Sequence, residues 1–229
     1  MQNFLSKLNL MPDKDIIISA SILSSNFKNL EKEIKSLNFS GIDEFHIDIM
    51  DGHFVENISF GQPLLRTIRS LTSLPIEAHL MVNNPANHIN SLFEIGVDIF
   101  TFHIESLDNP KDVIEMLSKT KMKKGIAINP DTEISKILPF LDIIDRVLFM
   151  TVYPGEGGQS YLSFVEEKIE KLAKINKSND FLIGVDGGIK SETIKSPYDC
   201  GARMFVSGTG ILNNDLGYLG AVNQIRKSI

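Results

Sequence analysis

The sequence predicts an α/β protein, a (β/α)8 TIM barrel in a single domain. Three observations carry that expectation. Eight short runs rich in β-branched and aromatic residues alternate with segments of helical spacing, and such alternation implies a parallel sheet. No linker, low-complexity tract or composition break divides the 229 residues, a length that suits eight units closed into a barrel near the short end of its range. An open doubly wound sheet calls for a Gly-rich dinucleotide loop after its first strand; "SILSSNF" stands there instead.

Residues 1–14 read as an N-terminal extension of a domain that runs to residue 229. The first strand is expected in "DIIISASIL" (15–23). A helix over 27–38 follows, where Phe27, Leu30, Ile34 and Leu37 recur at three or four and form one apolar stripe. "EFHIDIM" (44–50) is the second strand, with its helix at 62–71. "PIEAHLMV" (75–82) and "DIFTFHIE" (98–105) follow, each ahead of a helix, at 85–95 and 110–120. Those two helices open on Asn84 before Pro85 and Asn109 before Pro110, cap-like residues ahead of a first-turn proline. "KKGIAINP" (123–130) precedes a helix at 133–141. "RVLFMTVYP" (146–154) precedes one at 163–176, striped by Phe164, Val165, Ile169, Leu172 and Ile175. "FLIGVDGG" (181–188) and "ARMFVSGTG" (202–210) complete the set, with helices at 191–200 and 215–228.

Bulk properties narrow the function. A formal charge of −6 lacks the basic footprint of a nucleic-acid binder. The single cysteine, Cys200, rules out an internal disulfide and fits a reducing compartment. "MQNFLSKLNLMPDKD" has no sustained apolar core and no small-residue cleavage site. No apolar run approaches the roughly 20 residues of a membrane helix. The expectation is a cytoplasmic protein with neither nucleic-acid nor membrane partners, a homo-oligomer remaining open.

In the second strand, His46 and Asp48 leave the same face, and Phe45, Ile47 and Ile49 the other. A hydrogen-bonded structural pair would satisfy both polar groups. Barrel geometry favours a site, because strands of this fold present their chemistry at their C-terminal ends. Polar residues recur near those ends: Ser19, Ser21, His46, Asp48, His79, His103, Asn129, Asp186 and Ser207. His46, Asp48, His79 and Asp186 suit one divalent cation such as Zn2+, Fe2+, Mn2+ or Co2+. His88 reads as a helix-face residue, His53 as loop-ordering, Asp51 as a turn former with Gly52, and His103 as either wall or functional. "YPGEGGQS", "DGGI" and "SGTG" follow the last three strands, and backbone amides of such loops suit a phosphate. Met50, Met81 and Met150 stand at strand ends, as core filling or as walls of the site.

Taken in order, "SASILSSNF", "HIDIMDGHFVENISFG", "HLMV", "FHIES", "NPDT", "MTVYPGEGGQ", "VDGGI" and "VSGTGIL" closely resemble the ribulose-phosphate 3-epimerase family, from about residue 16 to 212. The resemblance implies a metal-dependent isomerase that inverts C3 of a ketose phosphate, converting D-ribulose 5-phosphate to D-xylulose 5-phosphate. It implies His46, Asp48, His79 and Asp186 as metal ligands, with Asp48 and Asp186 also as the two acid/base groups. Ser21, His79, Met50, Met81 and Met150 fall on positions that meet substrate. Gly155, Glu156, Gly157, Gly158, Gly187, Gly188, Gly208 and Thr209 fall on the phosphate loops.

Some positions depart from the family pattern. Ala20 and Glu56 replace prolines, Asn26 an aspartate, Glu156 a phenylalanine, and Thr209 and Gly210 a serine and an alanine. None removes a ligand or a proton-transfer group; together they bear on the substrate. A hexulose 6-phosphate such as D-allulose 6-phosphate is the alternative, and a non-catalytic phosphosugar-binding paralogue is another. The strand lysine of a DxKxxD lyase or decarboxylase pattern is missing.

Overall fold

A computed structural model describes residues 16–178 and 180–229; the expected 1–14 extension lies outside them. Eight parallel strands pair in chain order, and the last pairs with the first to close the barrel. They are β1 (Ile17–Ser21), β2 (Glu44–Met50), β3 (Ile76–Met81), β4 (Ile99–His103), β5 (Lys123–Ile128), β6 (Arg146–Met150), β7 (Leu182–Asp186) and β8 (Met204–Ser207). The helices are α1 (Leu30–Asn38), α2 (Gln62–Leu71), α3 (Ile89–Ile95), α4 (Pro110–Leu117), α5 (Glu166–Ile175), α6 (Lys195–Asp199), α7 (Thr209–Leu212) and α8 (Gly217–Lys227). Among the described residues, no helix is long and apolar enough to cross a membrane.

The main core lies between sheet and helices. Phe45, Ile47, Phe100, Phe102, Phe149 and Phe205 leave the outer sheet face and meet residues such as Ile34, Leu65, Leu92 and Ile169. A second, smaller cluster of Ile17, Ala127, Leu148, Met204 and Val206 belongs to the opposite parity and fills part of the barrel interior. Both strand faces are thereby buried, as a parallel sheet requires.

Several expected helices are shorter or divided. The segment 85–95 is a 3-10 turn over Pro85–His88 followed by α3, and half-buried His88 ends that turn. The segment 133–141 is not α-helical: it forms 3-10 turns over Ile134–Lys136 and Leu138–Ile143. Pro139 lacks the N–H that an α ladder needs. In 191–200 only α6 is α-helical. Phe164 and Ile175 are exposed, because Phe164 sits in a 3-10 turn ahead of α5 and Ile175 ends the helix; Val165, Ile169 and Leu172 carry the buried stripe.

The end of the barrel opposite the strand C-termini carries a recurring clasp. Asp43, Asp98 and Asp145 each stand just before an even-numbered strand. Each carboxylate accepts an N–H from the strand before, at Ile18, Ile76 and Lys124, always at 2.8 Å. The position before β8 is Arg203, which keeps the backbone bond to Ile183 at 2.9 Å.

Candidate functional site

Register assembles the site. In the β2–β3 ladder His46 lies opposite Glu77, Asp48 opposite His79, and Met50 opposite Met81; in the β6–β7 ladder Met150 lies opposite Asp186. The structure brings His46, Asp48, His79 and Asp186 together, with one donor atom from each within 4.8 Å of all the others. His46 Nε2 is 3.2 Å from Asp48 Oδ1, 3.1 Å from His79 Nδ1 and 3.5 Å from Asp186 Oδ2. His79 Nδ1 is 3.1 Å from Asp48 Oδ1 and 3.5 Å from Asp186 Oδ2. For metal–ligand bonds of about 2.0–2.1 Å, tetrahedral ligands stand about 3.3 Å apart. Two imidazole nitrogens and two carboxylate oxygens at this spacing fit a divalent cation.

Charge is concentrated there. Burial opposes a proton on His46, but the Asp48 and Asp186 carboxylates outweigh it and hold its pKa well above the ordinary value. Burial would raise the Asp48 carboxyl; the neighbouring His46, through its charge and its hydrogen bond, holds it well below the carboxylate range. Ser21 donates to Asp48 Oδ2 at 2.7 Å, so both Asp48 oxygens are engaged.

Behind the ligand set lies a layer not singled out from the sequence. His46 Nδ1 donates to Glu77 Oε2 at 2.7 Å, and Thr101 donates to Glu77 Oε1 at 2.6 Å. Arg146 Nη1 reaches Glu77 at 2.9 Å, and its guanidinium forks onto Glu44 at 2.8 and 3.1 Å. Burial would raise Glu77; Arg146 beside it and the bonds from His46 and Thr101 hold it far below the usual range. Gly125 makes room for this layer, since a Cβ there would stand 2.1 Å from Thr101 Oγ1. The signal was available: Glu77 shares parity with His79 and is a carboxylate inside an apolar strand.

One cavity opens over the cluster. Its wall includes Ser21, Asp48 and Asp186, the three methionines, and the loop residues Gly155, Glu156, Gly157, Gly158, Gly187, Gly188, Gly208 and Thr209. Among the described residues, no Lys or Arg lines it. His46 and His79 are fully buried behind it, so His79 stands in the cluster rather than on the cavity wall. Gly188 has φ +68°, and a Cβ would fall 2.7 Å from Tyr161 N; only glycine lets this loop pass so close to the next backbone. Exposed Glu156 lines the same cavity.

Other candidates fall elsewhere. Ser207 does not join the ring: it pairs with Ala20 on the outer face and donates to Ile189 O at 2.7 Å. Asp51 does more than turn the chain. Its carboxylate accepts from His53, Phe54 and Asn83 N–H at 2.8–2.9 Å, tying the β2 loop to the β3 loop. Burial opposes its charge, and those amides hold its pKa down. His53 Nδ1 lies 2.9 Å from Asp51 O, within that loop. His103 is fully buried and lies 2.9 Å from the outer nitrogen of His79. Burial chiefly depresses its pKa and keeps it neutral.

Comparisons with known proteins point one way. A family model described as "Ribulose-phosphate 3 epimerase family" matches residues 17–212. The ribulose-phosphate 3-epimerase of Bacillus subtilis is 37% identical over 199 residues, covering 86% of this chain and 92% of its own. That of Methanocaldococcus jannaschii is 41% identical over 202 residues, covering 87% of this chain and 86% of its own. Among solved structures, KGPDC from Streptococcus mutans aligns with a TM-score of 0.69 at 18% identity, covering 94% of this chain and 97% of that one. That likeness speaks for the fold alone.

Proposed function

The chain belongs to the ribulose-phosphate 3-epimerase family and is an isomerase-class enzyme; from that premise we propose that it interconverts D-ribulose 5-phosphate and D-xylulose 5-phosphate by inverting C3. One observation carries the reading: two carboxylates from non-adjacent strands, Asp48 on β2 and Asp186 on β7, converge on one pair of imidazoles and both line the cavity.

His46, Asp48, His79 and Asp186 would hold a divalent cation, which supplies Lewis acidity toward the substrate's carbonyl and neighbouring hydroxyl. Asp48 and Asp186 then flank C3. One carboxylate takes the C3 proton, and the C–H electron pair moves into a planar enediolate. The other, protonated, returns a proton to the opposite face. Reversal exchanges the roles. Ser21 fixes Asp48 through its hydrogen bond. Met50, Met81 and Met150 present apolar walls that exclude water from the intermediate. The loop amides at 155–158, 187–188 and 208–209 receive the phosphate without a fixed cation, as amide nests do. A cytoplasmic location fits the single free cysteine, which suits a reducing compartment.

The deciding experiment assays purified protein for epimerisation of D-ribulose 5-phosphate and D-allulose 6-phosphate, alongside metal analysis. Turnover of the pentulose, lost on chelation and restored by Zn2+ or Fe2+, is expected. Preference for the hexulose would move the substrate assignment, full activity in verified metal-free protein would remove the metal, and no turnover of either would leave a binding protein.

A further inference from the structure

The two imidazoles of the cluster face it through different nitrogens. His46 presents Nε2 and turns Nδ1 to Glu77. His79 presents Nδ1 and turns Nε2 to another imidazole, with His103 Nε2 at 2.9 Å. Two nitrogens at that separation share a single proton, so one donates and the other accepts. The direction is set one residue further out. His103 Nδ1 lies 3.2 Å from Glu105 Oε2, and an ionised carboxylate only accepts. The other Glu105 oxygen accepts the Asn129 N–H at 2.8 Å, which fixes the carboxylate in place. His103 must therefore carry its proton on Nδ1 and offer a lone pair from Nε2. His79 must carry its proton on Nε2, leaving the Nδ1 lone pair on the cluster.

The packing holds this chain in line. The His79 and His103 rings lie 23° from parallel with centroids 5.0 Å apart, a separation that suits the end-to-end contact of their Nε2 atoms at 2.9 Å. Phe54 covers His103 with centroids 4.7 Å apart. Both imidazoles have no exposed surface, so water does not compete.

We propose that His103 and Glu105 are positioning residues: together they fix the proton of His79 on Nε2 and so commit its Nδ1 lone pair to the cation site. Glu77 does the same for His46 in one step. The cation part of this inference rests on the metal reading above. Metal-bound histidines are generally oriented by such outer partners, whose loss weakens metal binding by about 10–100-fold.

The test uses the whole protein, 15N-labelled at histidine, with Glu105→Gln and His103→Phe as variants. Glutamine keeps the shape but can donate, which releases His103 from its single tautomer. Phenylalanine keeps the ring and removes the acceptor. Long-range 1H–15N spectra of the wild type should place the His103 proton on Nδ1, and that assignment should be lost in Glu105→Gln. Zn2+ competition against a chelator should show binding weakened about 10–100-fold in both variants, with cooperative melting retained. A wild-type His103 protonated on Nε2 overturns the proposal, as does wild-type Zn2+ affinity in folded Glu105→Gln. If the wild type takes up no Zn2+, the metal reading fails, and the His103 tautomer alone decides whether the relay exists.

Discussion

On the β2–β4 side of the barrel mouth, the polar groups are held by other side chains. Asp48 is held by Ser21, His46 by Glu77, and Glu77 by Thr101 and Arg146. On the β6–β8 side the cavity wall includes Gly155, Gly157, Gly158, Gly187, Gly188 and Gly208, which carry no side chain, and no Lys or Arg among the described residues lines it. The first arrangement defines positions of atoms; the second defines a shape and leaves a mouth open to solvent. Their errors should differ accordingly. A change in the buried wall should alter the metal or the proton transfer, and a change in the loops should alter how tightly a substrate is held.

The sharpest test of that division is Asp186, which stands between the two regions. Asp186→Asn keeps the shape and, under the proposed scheme, removes both a ligand charge and a proton carrier. A rate loss of at least ~10²–10⁴ is expected with melting little changed. Epimerisation near the wild-type rate would break the two-carboxylate scheme.

Within the wall, Glu77→Gln should weaken Zn2+ binding about 10–100-fold and lower the melting temperature, because Arg146 loses a charge partner in a buried layer. Unchanged Zn2+ affinity, read by chelator competition, would show that the layer behind His46 is only packing.

The pH dependence should separate the loaded wall from the empty one. His46 has a folded-state pKa raised above its ordinary 6.5. Its contribution to the stability of chelated protein is therefore full below that ordinary value and is lost as pH rises through the raised one. Zn2+ must displace the same proton, so apparent affinity should climb by about tenfold per pH unit until His46 is neutral, then level. Melting curves and Zn2+ titrations over the same pH series check both signs. Melting of the chelated protein that improves on the alkaline side would contradict the assignment.

The smallest effect belongs to the open rim. Glu156 places an exposed carboxylate on the wall proposed for a phosphate. Glu156→Gln should lower KM severalfold with kcat nearly unchanged, the mark of uniform binding, and the gain should shrink in salt. A raised KM would mean that this carboxylate helps to hold the substrate.

Much of this is legible in the residues themselves. Period-two alternation places His46 and Asp48 on one face, and the strand–helix rhythm implies closure and hence a common mouth. What stays hidden depends on register and on phase. Register sets Glu77 opposite His46; parity with His79 announces an inward carboxylate but not the partner it meets. In "ARMFVS" one parity is wholly apolar and the other sets Phe205 between Arg203 and Ser207, so polarity does not tell the inner face from the outer, and Ser207, expected inward, faces the helices. His103 can be placed inward by parity, but its two partners, Glu105 two residues on and His79 on another strand, meet it only in the folded barrel.

The aspartate clasps at the far end of the barrel carry a consequence of another kind. Asp43, Asp98 and Asp145 fasten β1 to β2, β3 to β4 and β5 to β6 by one device, in stretches that read alike: "GIDEF", "GVDIF" and "IIDRV". The first six strands are in this sense three two-strand modules, each supplied with its own fastener, and the β7–β8 pair, with Arg203 at that position, keeps the backbone bond alone. Because each fastener sits at the end remote from the mouth, a module can acquire new chemistry at one end while its attachment at the other is untouched.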